Sequence, residues 1–249
     1  MQCRRTPQRR WLYNAERASI ANDYQLKTNM LIYITDILPP DMLAAIADAT
    51  SDPAAFVSGS GTATGKARRA KHNLQASSGN AKIRGALKTL ETVLLKNALF
   101  QAAARPKQLV RLMINRYDSG MSYGSHIDAP LMDGIRTDLS FTLFLSPPDS
   151  YEGGQLVLEM GSGQESVKLP AGALVLYPTR YLHRVEPVSA GTRVAAVGWV
   201  RSHVRDENQR DLLFDLDTAL AEIHAGNDEQ GLERLANLRA NLLRLWVDD

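Results

Sequence analysis

The sequence predicts a mainly β chain with helices, an α+β fold built on a sandwich or jelly roll. Three observations point there. Between residues 109 and 201 short apolar runs recur at close intervals, separated by Pro, Gly, Asp and Ser, as strands joined by turns. The apolar period becomes helical over residues 80–104 and again after Asp206. With 249 residues and 44% hydrophobic content, the chain can bury one large core.

The elements follow in order. Residues 1–29 are basic, lack sustained periodicity and have no apolar stretch of the kind a secretory signal needs. They read as a disordered tail or a misplaced start, with a transit peptide left open. Met30-Leu31-Ile32-Tyr33-Ile34 begins the first strand. Pro39-Pro40-Asp41 opens a helix to about Ala49, with Pro and Asp where a helix N-terminus tolerates them. Residues 58–70, rich in Gly, Ser, Thr, Ala and basic side chains, read as a mobile loop, and Lys71 to Gln75 as a short strand. Asn80 can cap a long helix to about Ala104, with Ile83, Leu87, Leu90, Leu94 and Leu95 at helical spacing and Pro106 as its stop.

In Leu109 to Tyr117 the apolar Val110, Leu112 and Ile114 alternate with Arg111, Met113, Asn115 and Tyr117. The first set is expected to pack on the long helix and the second to look into a polar cavity. Leu139, Phe141, Leu143 and Leu145 alternate in the same way with Ser140, Thr142 and Phe144. Gly153-Gly154 breaks the chain before a strand at 155–160, and further strands are expected at 165–169, 173–177, 183–187 and 192–201. After Asp206, Leu212, Leu213, Leu216, Leu220 and Ile223 form one helical stripe and Leu232, Leu235, Leu238, Leu242 and Leu245 another, divided by Gly226-Asn227. This reads as an antiparallel helix pair that covers the barrel or, alternatively, forms a homodimer interface. The expected organisation is a 1–29 extension, a 30–203 domain and a 204–249 helical hairpin.

Charge and composition exclude several classes. Net charge is +2, but residues 1–29 carry six basic against two acidic residues, so the body is slightly acidic and shows no nucleic-acid footprint. No run approaches the length that spans a bilayer. Cys3 is the single cysteine, so no intramolecular disulfide can form, which suits a cytoplasmic protein.

The chemistry centres on residues 117–128, Tyr-Asp-Ser-Gly-Met-Ser-Tyr-Gly-Ser-His-Ile-Asp. His126 and Asp128 stand two apart, so on extended backbone they point the same way and can offer one nitrogen and one oxygen to a single metal. A third ligand must come from elsewhere, and His183 is the candidate. Two His and one carboxylate with open positions is the donor set of non-haem Fe(II) oxygenases. A lone His-x-Asp is commonly a surface turn; the distal half gives it weight. Pro170-Ala171-Gly172 turns into a strand ending at Tyr177-Pro178, His183 follows, and Arg193 comes ten positions later beyond Gly191. A hairpin of that length is expected to bring ligand and guanidinium to one end of a sheet, where Arg193 can grip a remote carboxylate through two parallel bonds. Arg193, Ala195, Val197 and Trp199 share a strand face, and small Ala195 leaves room beside it.

The sequence resembles the Fe(II)/2-oxoglutarate dioxygenases, in the prolyl/lysyl-hydroxylase-type branch and its bacterial PKHD-type hydroxylases. The resemblance runs from about Met30 to the end. It is carried by Asn115-Arg116-Tyr117, Tyr123, His126-Ile127-Asp128, Arg136-Thr137-Asp138-Leu139-Ser140, Tyr151-Glu152-Gly153-Gly154, Leu169-Pro170-Ala171-Gly172, His183 and Arg193. It implies a double-stranded β-helix (jelly roll) flanked by a long N-terminal helix and a C-terminal helix pair. It implies Fe(2+) on His126, Asp128 and His183, which are then the catalytic centre. It places 2-oxoglutarate, the co-substrate, on Arg193 with its C5 carboxylate, and Tyr117 can donate to that carboxylate. L-ascorbate as the reductant that restores Fe(II) follows from the same likeness. The implied reaction is hydroxylation with release of succinate and CO2. Asp128 favours hydroxylation, since Gly or Ala there would free a position for halide.

Two rivals remain. A nucleic-acid demethylase of the same superfamily carries a second Arg six residues after the cofactor Arg, where this chain has Trp199. A non-catalytic jelly roll that binds metal or senses 2-oxoglutarate and iron is the other, although structural metal sites usually close their coordination shell. The substrate is left open as a small molecule or a protein side chain, and the resemblance also leaves open a link to iron uptake.

Overall fold

The computed structural model describes residues 12–13, 31–62, 68–161, 163–226 and 229–248. Of residues 1–29 it describes only the backbone of Leu12–Tyr13 (β1), which lies parallel to Ile32–Ile34 (β2); the expected tail otherwise lies outside the described residues. Pro40–Ala49 (α1) begins and ends as the sequence predicts. Phe56–Ser58 (β3) follows, and the predicted mobile loop starts as a short 3-10 helix over Gly59–Thr62, with residues 63–67 outside the described set.

The predicted Lys71–Gln75 strand is two strands, Lys71–His72 (β4) and Leu74–Ala76 (β5), which enter different sheets on either side of Asn73. The long helix is also two. Ala81–Lys96 (α2) is capped by the Asn80 side chain, which accepts from the Lys82 and Ile83 amides. It stops at Asn97, whose side chain accepts from Phe100 N and so starts Ala98–Ala104 (α3). Ile83, Leu90 and Leu94 are fully buried, each contributing roughly 1.5–3 kcal/mol of burial.

The β region is Pro106–Asp118 (β6), Ser122–His126 (β7), Leu131–Met132 (β8), Ile135–Arg136 (β9), Leu139–Phe144 (β10), Tyr151–Gly153 (β11), Leu156–Met160 (β12), Gly163–Val167 (β13), Leu174–Pro178 (β14), Leu182–Val185 (β15) and Val188–Ser202 (β16). The larger sheet runs β1-β2-β14-β10-β16-β6-β5-β3, with β11 also pairing β16. The smaller runs β13-β12-β15-β7-β4. Two mainly antiparallel sheets with side chains packed between them make a jelly roll.

Alternation sets where each face goes. Ile114, Leu139, Phe141 and Leu143 join one core with Ile83, Leu90, Leu94 and Phe100 of α2 and α3. Tyr117, Phe144, Leu156, Val175 and Tyr177 join a second core between the sheets. Arg111, Met113, Asn115 and Tyr117 line an interior cavity, as the odd positions of β6 predict.

Glu207–Gly226 (α4) and Glu229–Trp246 (α5) form the tail pair. Leu213 and Phe214 are buried, and Phe214 belongs to the core under the helices. Leu212, Leu238 and Leu245 stay exposed, so the Leu stripes are only partly used. The anchor is polar: Asp217 accepts from the buried Arg105 guanidinium at 2.6 Å and also from Arg239, which joins the end of α3 to both tail helices. Deleting the chain after Arg205 removes two buried apolar side chains and leaves Arg105 without its carboxylate. The expected loss is roughly 3–6 kcal/mol from the apolar part alone, read as a fall in the urea midpoint; an unchanged midpoint would show the tail to be an independent appendage.

Candidate active site

Three elements place the candidate ligands. His126 ends β7, and Asp128 follows on extended chain; Ile127 between them points outward and is 58% exposed, while His126 is buried. His183 lies on β15 directly opposite His126 in the β15–β7 ladder, which is how a distant residue joins the pair. Ligand atoms of all three lie within 4.8 Å of one another. The Asp128 oxygens stand 3.6 Å from His126 Nε2 and 3.7 Å from His183 Nε2.

The surroundings fix these side chains for a cation. His126 Nδ1 donates to Gly124 O and His183 Nδ1 to Tyr181 O, both at 2.9 Å. Each bond commits the proton to Nδ1 and leaves the Nε2 lone pair facing the cluster. Burial, then the neighbouring His183, hold the His126 pKa below its usual value, which favours the neutral ring a metal requires. The Tyr123 ring stacks on His126 with centroids 3.6 Å apart. Asp128 Oδ2 accepts from Trp199 Nε1 and from Ser140 Oγ, each at 2.8 Å. The donor set, tautomers and carboxylate support therefore fit one divalent metal.

A cavity of about 530 Å³ extends from this cluster, lined from the larger sheet by Tyr117, Tyr177, Arg193 and Trp199 and from the smaller by Tyr123, Leu156 and Val185. Arg193 is 1% exposed, yet its Nε has no acceptor and, among the described residues, no carboxylate pairs with it. Its guanidinium carbon lies 5.2 Å from the Tyr117 ring centre and 5.4 Å from that of Phe144. Rings cover the face of the cation and the Tyr151 hydroxyl stands against it, but no carboxylate neutralises it, and a buried charge in that state calls for an anion. Gly154 permits this placement: its φ is +66°, and a Cβ there would stand 3.0 Å from Arg193 Cδ. Asn115 Oδ1 nearby is likewise buried without a partner.

All five residues singled out from the sequence, His126, Asp128, His183, Arg193 and Tyr117, line this one cavity. The expected hairpin does not exist. β15 belongs to the smaller sheet and β16 to the larger, so His183 and Arg193 meet across the interior, and Gly191 pairs with Tyr151 instead of making the turn. Ser140, Trp199, Asn115 and Lys71 also line the cavity. Trp199 was accessible to sequence reasoning through its face-sharing with Arg193; Lys71 had no such signal.

Comparison with known proteins agrees with this arrangement. The 2OG-Fe(II) oxygenase superfamily model matches residues 112–201, and the PKHD-type hydroxylase C-terminal domain matches residues 207–248. A PKHD-type hydroxylase of Parvibaculum lavamentivorans is 46% identical over 221 residues, spanning 88% of this chain and 100% of the relative. The chain belongs to the PKHD-type hydroxylases. A PKHD-type hydroxylase of Idiomarina loihiensis is 44% identical over the same shares of the two chains. A prolyl-4-hydroxylase of Pseudomonas putida shares the fold, at TM-score 0.53 and 21% identity over 70% of this chain and 94% of that one. This PKHD-type hydroxylase is thus an oxygenase by family and a jelly roll by structure, and no helix among its described residues is long and apolar enough to cross a membrane.

Proposed function

We propose that His126, Asp128 and His183 hold Fe(II), that Arg193 takes the C5 carboxylate of 2-oxoglutarate, and that the chain hydroxylates a substrate C–H bond with release of succinate and CO2. The observation that carries this is the pairing of a His-Asp-His cluster with a buried, carboxylate-free arginine in one cavity. Iron with 2-oxoglutarate and O2 supplies the oxidising chemistry. The protein's own residues do the rest. Gly124 O and Tyr181 O orient the two imidazoles, Trp199 and Ser140 fix the carboxylate, and Tyr117 supports the guanidinium that positions the co-substrate. Leu156, Val185 and Val197 give the cavity apolar walls that limit the access of water.

L-ascorbate as a supporting reductant and a cytoplasmic setting belong to the same reading, the latter supported by the single cysteine. The test is succinate formation from 2-oxoglutarate coupled to a +16 mass shift, screened over protein side chains and small molecules, iron chelators included, with and without ascorbate. Iron and 2-oxoglutarate binding without any succinate would instead make the chain a sensor.

A further inference from the structure

Lys71 sits where lysine is seldom found. It begins β4, pairs with Tyr123 of β7, and is only 8% exposed. Its ammonium donates to the Thr62 hydroxyl at 2.8 Å and lies 5.1 Å from the Tyr123 ring centre. Among the described residues no carboxylate forms an ion pair with it. Burial pushes its pKa down to about 8, against the pull of Asp128 and with the push of Arg111. Lys71, Thr62 and Arg111 line the same cavity as the His-Asp-His cluster.

The charges of the loaded site leave this ammonium over. With Fe(II) and 2-oxoglutarate in place, their charges cancel against Asp128 and Arg193. Arg111 is balanced by Asp133 of the β8–β9 turn, 2.6 Å from its Nη2, in a pair that solvent screens because Asp133 is 72% exposed. Lys71 has no such counter-charge, and an ammonium desolvated beside the reacting centre needs one.

We propose that the hydroxylated substrate carries a carboxylate that docks on Lys71 with Arg111 beside it. This rests on the iron and 2-oxoglutarate reading above. It makes Lys71 a specificity-determining residue and the substrate an acid, either a free small acid or an acidic peptide side chain. The anchor holds one end of the substrate and so limits which C–H bonds reach the metal.

The experiment uses the full chain loaded with Mn(II) and saturating 2-oxoglutarate, and reads melting temperature. The loading titration is done first and reports on the iron and 2-oxoglutarate reading alone. Two probe pairs are then added at fixed ionic strength: propionate against propionamide, and N-acetyl-Gly-Asp-Gly-amide against its Asn counterpart. The acid is expected to raise the melting temperature more than its amide in at least one pair, and the pair with the stronger response tells free acid from peptide side chain. Lys71→Met is expected to weaken that acid binding about tenfold or more, with Lys71→Arg restoring part of it and 2-oxoglutarate affinity kept. Lys71→Gln, which can keep the bond to Thr62, carries the same expectation should the Met variant not fold. Equal responses to acid and amide in both pairs, or an acid response that survives loss of the ammonium, would overturn the proposal. Loss of 2-oxoglutarate affinity on removing Lys71 would overturn it too, by placing the ammonium on the co-substrate.

Discussion

Arg193→Ala is expected to raise the 2-oxoglutarate KM by about 30-fold or more. Arg193 is buried beside the Tyr117 and Phe144 rings with no carboxylate partner among the described residues, so its charge is left for a ligand to neutralise. Removing the guanidinium leaves the co-substrate's carboxylate buried and uncompensated, a loss of roughly 2–5 kcal/mol. Iron affinity should survive, because none of the three candidate ligands is touched. Arg193→Lys should recover part of the loss, since charge returns without the bidentate geometry. Succinate formation against 2-oxoglutarate concentration in all three proteins, with iron titrated separately, checks this. Equal KM values would mean that another group holds the carboxylate, and Tyr117→Phe would then be the variant to make.

Asp128→Ala should abolish measurable Fe(II) binding and succinate formation, because two imidazoles alone leave the cation without its anionic ligand. A graded version of the same experiment is more informative. Trp199→Phe and Ser140→Ala each remove one of the two bonds to Asp128 Oδ2 and keep the ligand itself. Each is expected to lower Fe(II) affinity about 10–100-fold. The double variant should fall below either single one. Wild-type affinity in both single variants would show that the carboxylate is oriented by the metal and not by the protein.

Much of this architecture is legible in the residues because period and burial coincide. In β6 Leu112 and Ile114 alternate with Arg111, Asn115 and Tyr117, and that alternation is enough to assign the helix face and the cavity face although Met113 and Arg116 depart from it. His126 and Asp128 are legible for the same reason: extended spacing decides their common direction, and exposed Ile127 agrees with it. The break at Asn97 is hidden because residues 98–104, Ala-Leu-Phe-Gln-Ala-Ala-Ala, are themselves mostly good helix formers; only the cap on Phe100 N reveals it. The β4–β5 switch at Asn73 is hidden too, since a run of five residues does not show that its halves pair with different partners. The supposed hairpin between His183 and Arg193 fails on the same point. Sequence separation limits how far apart two residues can lie, but sheet assignment depends on which strand wins the pairing. The bonds that Trp199 and Ser140 make to Asp128, and the approach of Lys71 to the same cavity, arise from tertiary packing; strand alternation places Trp199 on the cavity face but does not show what it touches.

If one cavity holds both iron, on His126, Asp128 and His183, and 2-oxoglutarate, on Arg193, a single structure can show it. The most direct measurement is a crystal structure of the full chain with Mn(II) and 2-oxoglutarate, with the metal located by its anomalous signal. One metal peak is expected within coordination distance of both Nε2 atoms and an Asp128 oxygen, with a C5 carboxylate paired with the Arg193 guanidinium. A metal bound elsewhere, or a co-substrate whose C5 carboxylate lies away from Arg193, would contradict it.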